Sequence, residues 1–134
     1  MIRRWVGRRP RNTPGRRNGM SFPGLQPQER RHRDRQPLRA SAWLILGEHQ
    51  VVAARTRDIG PTGCEVVCDR NLRVGTTLTL RVLVPRPTQG HAPFEATATV
   101  HDCTLAGREG GFRVDLLLDP LTPEAQQALQ VLPH

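Results

Sequence analysis

From Ala40 onward the chain runs in short stretches where apolar and polar residues alternate, divided by turn residues, and this period of two constrains the fold more than any other feature. In Thr77–Val84, the residues Leu78, Leu80, Val82 and Val84 share a face. In Phe94–Asp102, Phe94, Ala96, Ala98 and Val100 oppose Glu95, Thr97, Thr99 and His101. Successive side chains of a strand point to opposite sides, so such runs suit strands with one face in a core and the other in water. Further runs lie at about Ala40–Leu46, Val51–Arg57 and Cys64–Cys68, and a sixth places Phe112, Val114, Leu116 and Leu118 together. Gly47-Glu48 and the glycines of 107–111 supply turns, whereas Asp58-Ile59-Gly60-Pro61-Thr62-Gly63 interrupts the pattern between the second and third runs. Six strands at this spacing predict an all-β barrel or sandwich.

The end of the chain has a different period. Thr122 is placed to cap a helix whose first turn holds Pro123 and Glu124, and Ala125, Ala128, Leu129 and Leu132 follow helical spacing. A helix of about ten residues is marginal alone, so its apolar stripe must pack on the strands or on a partner.

The 134 residues suit one domain. The net charge of +8 is unevenly distributed, because residues 1–39 hold twelve arginines against Glu29 and Asp34 while the remainder carries eight against ten acids. Residues 1–28 are rich in Arg, Pro, Gly and Asn with no apolar periodicity. They read as a disordered basic arm, within which Met20 is an alternative start to Met1. The folding domain is then 29–134, and the high isoelectric point says little about its surface. No apolar run approaches the roughly 20 residues of a membrane span, which argues against membrane insertion and for a cytoplasmic protein. Cys64, Cys68 and Cys103 are odd in number and lack CxxC spacing, so they read as reduced, buried thiols rather than disulfides or metal ligands. The five histidines have no Ser or Cys partner in any nucleophile motif, and no catalytic residue is assigned. Trp5 and Trp43 make no stacking platform, so nucleic acid is disfavoured as a partner in spite of the charge.

Two clusters fall at strand edges. One is Glu29-Arg30-Arg31-His32-Arg33-Asp34-Arg35-Gln36-Pro37, just before the first strand, and the other is the 58–63 interruption. Read alone, the first is a solvated basic linker and the second a turn whose glycines adopt positive φ. Together they resemble the PilZ family, bacterial receptors for cyclic di-GMP. Arg31 and Arg35 form its RxxxR motif, and Asp58, Gly60 and Gly63 fall at the positions of its (D/N)xSxxG motif. The resemblance runs from about Glu29 to the C-terminus and implies a six-stranded antiparallel β-barrel with a closing helix.

The same resemblance implies that cyclic di-GMP is the ligand, with no cofactor or metal, and that Arg31, Arg35, Asp58, Gly60 and Gly63 bind it. Guanidinium groups suit a molecule with two guanine faces, two Hoogsteen edges and two phosphates. A carboxylate at Asp58 suits the N1–H and N2–H donors of guanine. Bound ligand would alter contacts with a protein partner in motility, exopolysaccharide, biofilm or pilus machinery. Gly60 departs from the family Ser, which favours a second reading, a degenerate PilZ-like interaction module that does not bind nucleotide. On the first reading, replacing Arg31 or Arg35 costs binding and leaves folding intact, and Gly60→Ser leaves binding unchanged or strengthens it by up to roughly 1 kcal/mol.

Overall fold

A computed structural model describes residues 34–132 of the chain. Seven strands form there, β1 (Gln36–Pro37), β2 (Ser41–Leu46), β3 (Gln50–Ile59), β4 (Gly63–Cys68), β5 (Thr77–Pro85), β6 (His91–Leu105) and β7 (Phe112–Leu118), followed by helix α1 (Pro123–Gln130). All pairings are antiparallel. The order β3-β2-β5-β6-β7-β4 closes on itself through β3–β4, and β1 adds to β3 beyond the end of β2. This is the six-stranded barrel with one C-terminal helix that the alternation and the resemblance predict. The short β1 has no counterpart among the expected strands, because two residues carry no periodicity.

The alternating residues face as expected. Leu78, Leu80, Val82 and Val84 of β5, Phe94, Ala98 and Val100 of β6, and Val114 and Leu116 of β7 are all buried in one core. The Thr122 hydroxyl caps α1 by accepting from the amide of Ala125 at 3.1 Å. Ala125, Ala128 and Leu132 are buried against the barrel, and Leu129 is half-buried beside them. Among the described residues no helix is long and apolar enough to cross a membrane.

Cys64 and Cys68 point into the core and Cys103 is half-buried. Burial pushes all three thiols up from their ordinary range, which keeps them protonated and inert at neutral pH. Among the described residues no group of three His, Cys, Asp or Glu is placed to hold a metal.

Where the chain passes from β1 to β2, a side chain completes the hydrogen bonding. The buried Thr56 hydroxyl donates to the carbonyl of Leu38 at 2.5 Å and accepts from the amide of Ala40 at 2.9 Å. These bonds fasten the segment that enters the barrel just after Arg35. Thr56→Val keeps the shape but leaves a buried donor and a buried acceptor unsatisfied, and is expected to cost about 2–3 kcal/mol. Urea unfolding should show a lower midpoint at unchanged slope.

Candidate functional site

Two β-bulges shape one side of the barrel. In β3 the register shifts between Thr56 and Asp58, so that Arg57 and Asp58 together oppose Glu65 of β4. A bulge adds one residue to a strand and thereby turns two successive side chains to the same face. Thr56 and Ile59 stay in the core while Arg57 and Asp58 both face outward. In β6 the shift between Val100 and Asp102 does the same opposite Asp115 of β7. Glu65 is itself paired with Asp115. The register therefore sets Asp58, Glu65, Asp115 and Asp102 side by side across four adjacent strands. Like charges directly opposite one another are destabilising, so the row requires cations.

Arginines meet that requirement for three of the four. Glu65 lies 3.4 Å from both Arg57 Nε and Arg113 Nε, and the same two side chains pair with Glu109 on the turn after β6. Burial and the neighbouring Asp58 nonetheless raise the Glu65 carboxyl above its ordinary pKa, while Arg113 and Arg57 pull it back. Arg35 serves Asp58 and Asp115, two of the remaining three carboxylates. Its Nη1 is 3.4 Å from Asp58 Oδ1 and its Nη2 is 2.8 Å from Asp115 Oδ1, with only 2% of the side chain exposed. Asp58 also accepts from the amide of Glu65 at 3.2 Å, which fixes its carboxylate at the bulge.

The glycines make this arrangement possible by what they lack. A β-carbon on Gly63 would fall within the guanidinium of Arg35, 2.9 Å from its Cζ, so the bare backbone at the start of β4 is the seat on which Arg35 lies. A β-carbon on Gly60 would stand 2.7 Å from the carbonyl oxygen of Asp34 and 3.1 Å from Arg35 Cα. The segment does turn, with the Gly60 amide donating to the Gly63 carbonyl at 2.9 Å, but neither glycine has positive φ, so that explanation for them is corrected: both serve close approach of another chain segment. The expectation for Gly60→Ser also changes, because the new side chain would first displace the backbone that carries Arg35.

Four of the five residues singled out from sequence thus come together. Arg35, Asp58 and Gly63 are in one cluster, and Gly60 abuts the Asp34–Arg35 backbone beside it. Arg31 lies outside the described residues, as does the arm 1–28. Asp58 is corrected from a loop position to the end of β3. Asp115 was not singled out, since nothing in the alternation of β7 reveals which strand it faces. A groove of about 570 Å³ adjoins the cluster, bounded by the Asp34–Gln36 segment, by Gly60 and Pro61, and by Leu129 and Gln126 of α1.

The structure is a small closed barrel with an arginine brought from the approach segment onto its outer wall. The PilZ domain family matches residues 29–132, and the chain belongs to that family, one of regulatory receptor and adaptor domains. Among solved structures it is similar to the Bacillus subtilis inhibitor of motility MotI/DgrA, with 17% identity and a TM-score of 0.59, over 72% of this chain and 46% of that one. At that identity the likeness concerns the fold, and this chain spans about half the length of the other. No curated protein matches the chain.

Proposed function

We propose that the chain is a non-catalytic, cytoplasmic cyclic di-GMP receptor. Arg31, Arg35, Asp58, Gly60 and Gly63 hold the ligand, and binding switches contacts with a protein partner in motility, exopolysaccharide, biofilm or pilus machinery. The observation that carries this reading is the meeting of Arg35 with Asp58 and Gly63, residues of two separate motifs, at one point on the barrel wall. Guanidinium, carboxylate and bare backbone together offer a guanine base and a phosphate the groups they need. The adjacent groove beside α1 gives a bound ligand access to the helix, and through it to a partner.

Isothermal titration of the full chain with cyclic di-GMP at moderate salt, with GTP and single-stranded DNA as controls, tests the reading. Saturable heat with cyclic di-GMP alone is expected. Arg31→Ala should weaken binding by about 2 kcal/mol through loss of a charge-assisted bond and a stacking surface. Arg9→Ala, in the arm, should change it little. A second reading, the interaction module that binds no nucleotide, is favoured by Gly60 and by the engagement of Arg35 with the chain's own carboxylates. It takes over if no heat appears at high micromolar ligand.

A further inference from the structure

We propose that Asp115 is a built-in competitor for Arg35, a latch that holds the site closed and sets how tightly the ligand binds. The proposal rests on the receptor reading for its ligand and on geometry for the latch itself. Among the described residues of the site, Arg35 is the one that spans three strands, reaching over Gly63 of β4 from Asp58 on β3 to Asp115 on β7. Asp58 belongs to the binding motif, whereas Asp115 stands on the far side of the seat and is only 17% exposed. A ligand that uses the Arg35 guanidinium for stacking or for paired hydrogen bonds must draw it away from Asp115.

The contact is built to be broken. Arg35 Nη2 and Asp115 Oδ1 are at ion-pair distance, yet neither atom makes a well-directed hydrogen bond among the described residues, nor does Arg35 Nε. Charge alone holds the pair, and two N–H-bearing nitrogens of a nearly buried guanidinium keep unspent donor capacity. Acceptors aligned on those donors, such as a guanine Hoogsteen edge or a phosphate, compete on favourable terms. Once Arg35 leaves, Asp115 stands uncompensated beside Glu65, and its negative charge opposes an approaching dianion. Both effects lower the apparent affinity, because the binding-competent fraction is reduced by the share of molecules that remain latched.

Two measurements on the full chain test this. Limited trypsin digestion followed by mass spectrometry reads the Arg35–Gln36 bond, with cleavage after Arg73, in an exposed loop, as the control for general loosening. Asp115→Asn should speed cleavage after Arg35 about tenfold and leave cleavage after Arg73 unchanged. Calorimetry should show cyclic di-GMP binding about tenfold tighter in Asp115→Asn. Asp102→Asn removes the next charge in the row, one that does not pair with Arg35, and should alter affinity less than twofold. Unchanged cleavage after Arg35 in Asp115→Asn overturns the latch, as does an equal gain in affinity from Asp102→Asn, which would mark a general charge effect. If cleavage rises but neither protein binds cyclic di-GMP, the latch stands and the receptor reading fails.

Discussion

Arg35→Ala is expected to destabilise the barrel by about 2–3 kcal/mol, in addition to weakening ligand binding by about 2 kcal/mol. The sequence places Arg35 in an approach segment and suggests that folding would not notice its loss. The structure puts it under the surface, 2% exposed, as the only described cation within ion-pair distance of Asp58 and Asp115. Removing one member of a fully buried pair costs about 3–5 kcal/mol, since a charge is left uncompensated. Here Asp58 and Asp115 are 29% and 17% exposed, so water screens part of that loss and the lower figure applies. Arg35→Lys separates the two roles. A lysine ammonium can partly neutralise the carboxylates and recover stability, but it lacks the planar fork and stacking face and should not recover binding. Urea unfolding and calorimetry on both variants check the pair of outcomes, and an Arg35→Ala protein as stable as wild type would show that the buried ion pairs contribute nothing.

The strands and the helix were legible in the sequence because their determinants are local, whereas closure into a barrel came from the family resemblance. The alternation of β5 and β6 specifies which face is buried, and the Thr122-Pro123-Glu124 start specifies the helix, without knowledge of any partner strand. The site was legible only in part. Arg35, Asp58 and Gly63 stood out through their spacing, but what each does depends on long-range pairing. The bulge that turns Asp58 outward beside Arg57 appears as a broken alternation that is equally well read as the start of a loop. Asp115 becomes a partner of Arg35 only once β4 lies between β3 and β7, a strand order that no window of sequence contains. The two glycines show the same limit: composition signals the turn that joins β3 to β4, while only the distances show a seat and a close crossing.

Phe94→Ala carries the largest expected loss, about 4 kcal/mol, and it also offers a route to the ligand. Phe94 is fully buried on β6 opposite Val82, and no other aromatic side chain is fully buried among the described residues. The core around it is built of Leu, Val, Ile, Ala and Cys, with small residues at 42, 54 and 98. Such neighbours are short and held by strand backbones, so they cannot collapse into the space a phenyl ring vacates. The cavity cost then adds to the lost transfer energy, giving the 3–5 kcal/mol typical of Phe→Ala. Against a total stability of about 5–15 kcal/mol, the variant should fold but melt at a much lower temperature. It leaves Arg35, Asp58, Gly63 and Asp115 untouched, since they lie on the outer wall. A ligand that binds only the folded chain stabilises it by RT ln(1 + [L]/Kd), about 2.7 kcal/mol at a hundredfold excess over Kd. Saturating cyclic di-GMP should therefore recover more than half of the loss in Phe94→Ala, while GTP at the same concentration should recover little. Thermal melts of the variant with each nucleotide provide the measurement, and equal, small shifts with both would count against the receptor reading by a route that does not depend on the heat of binding.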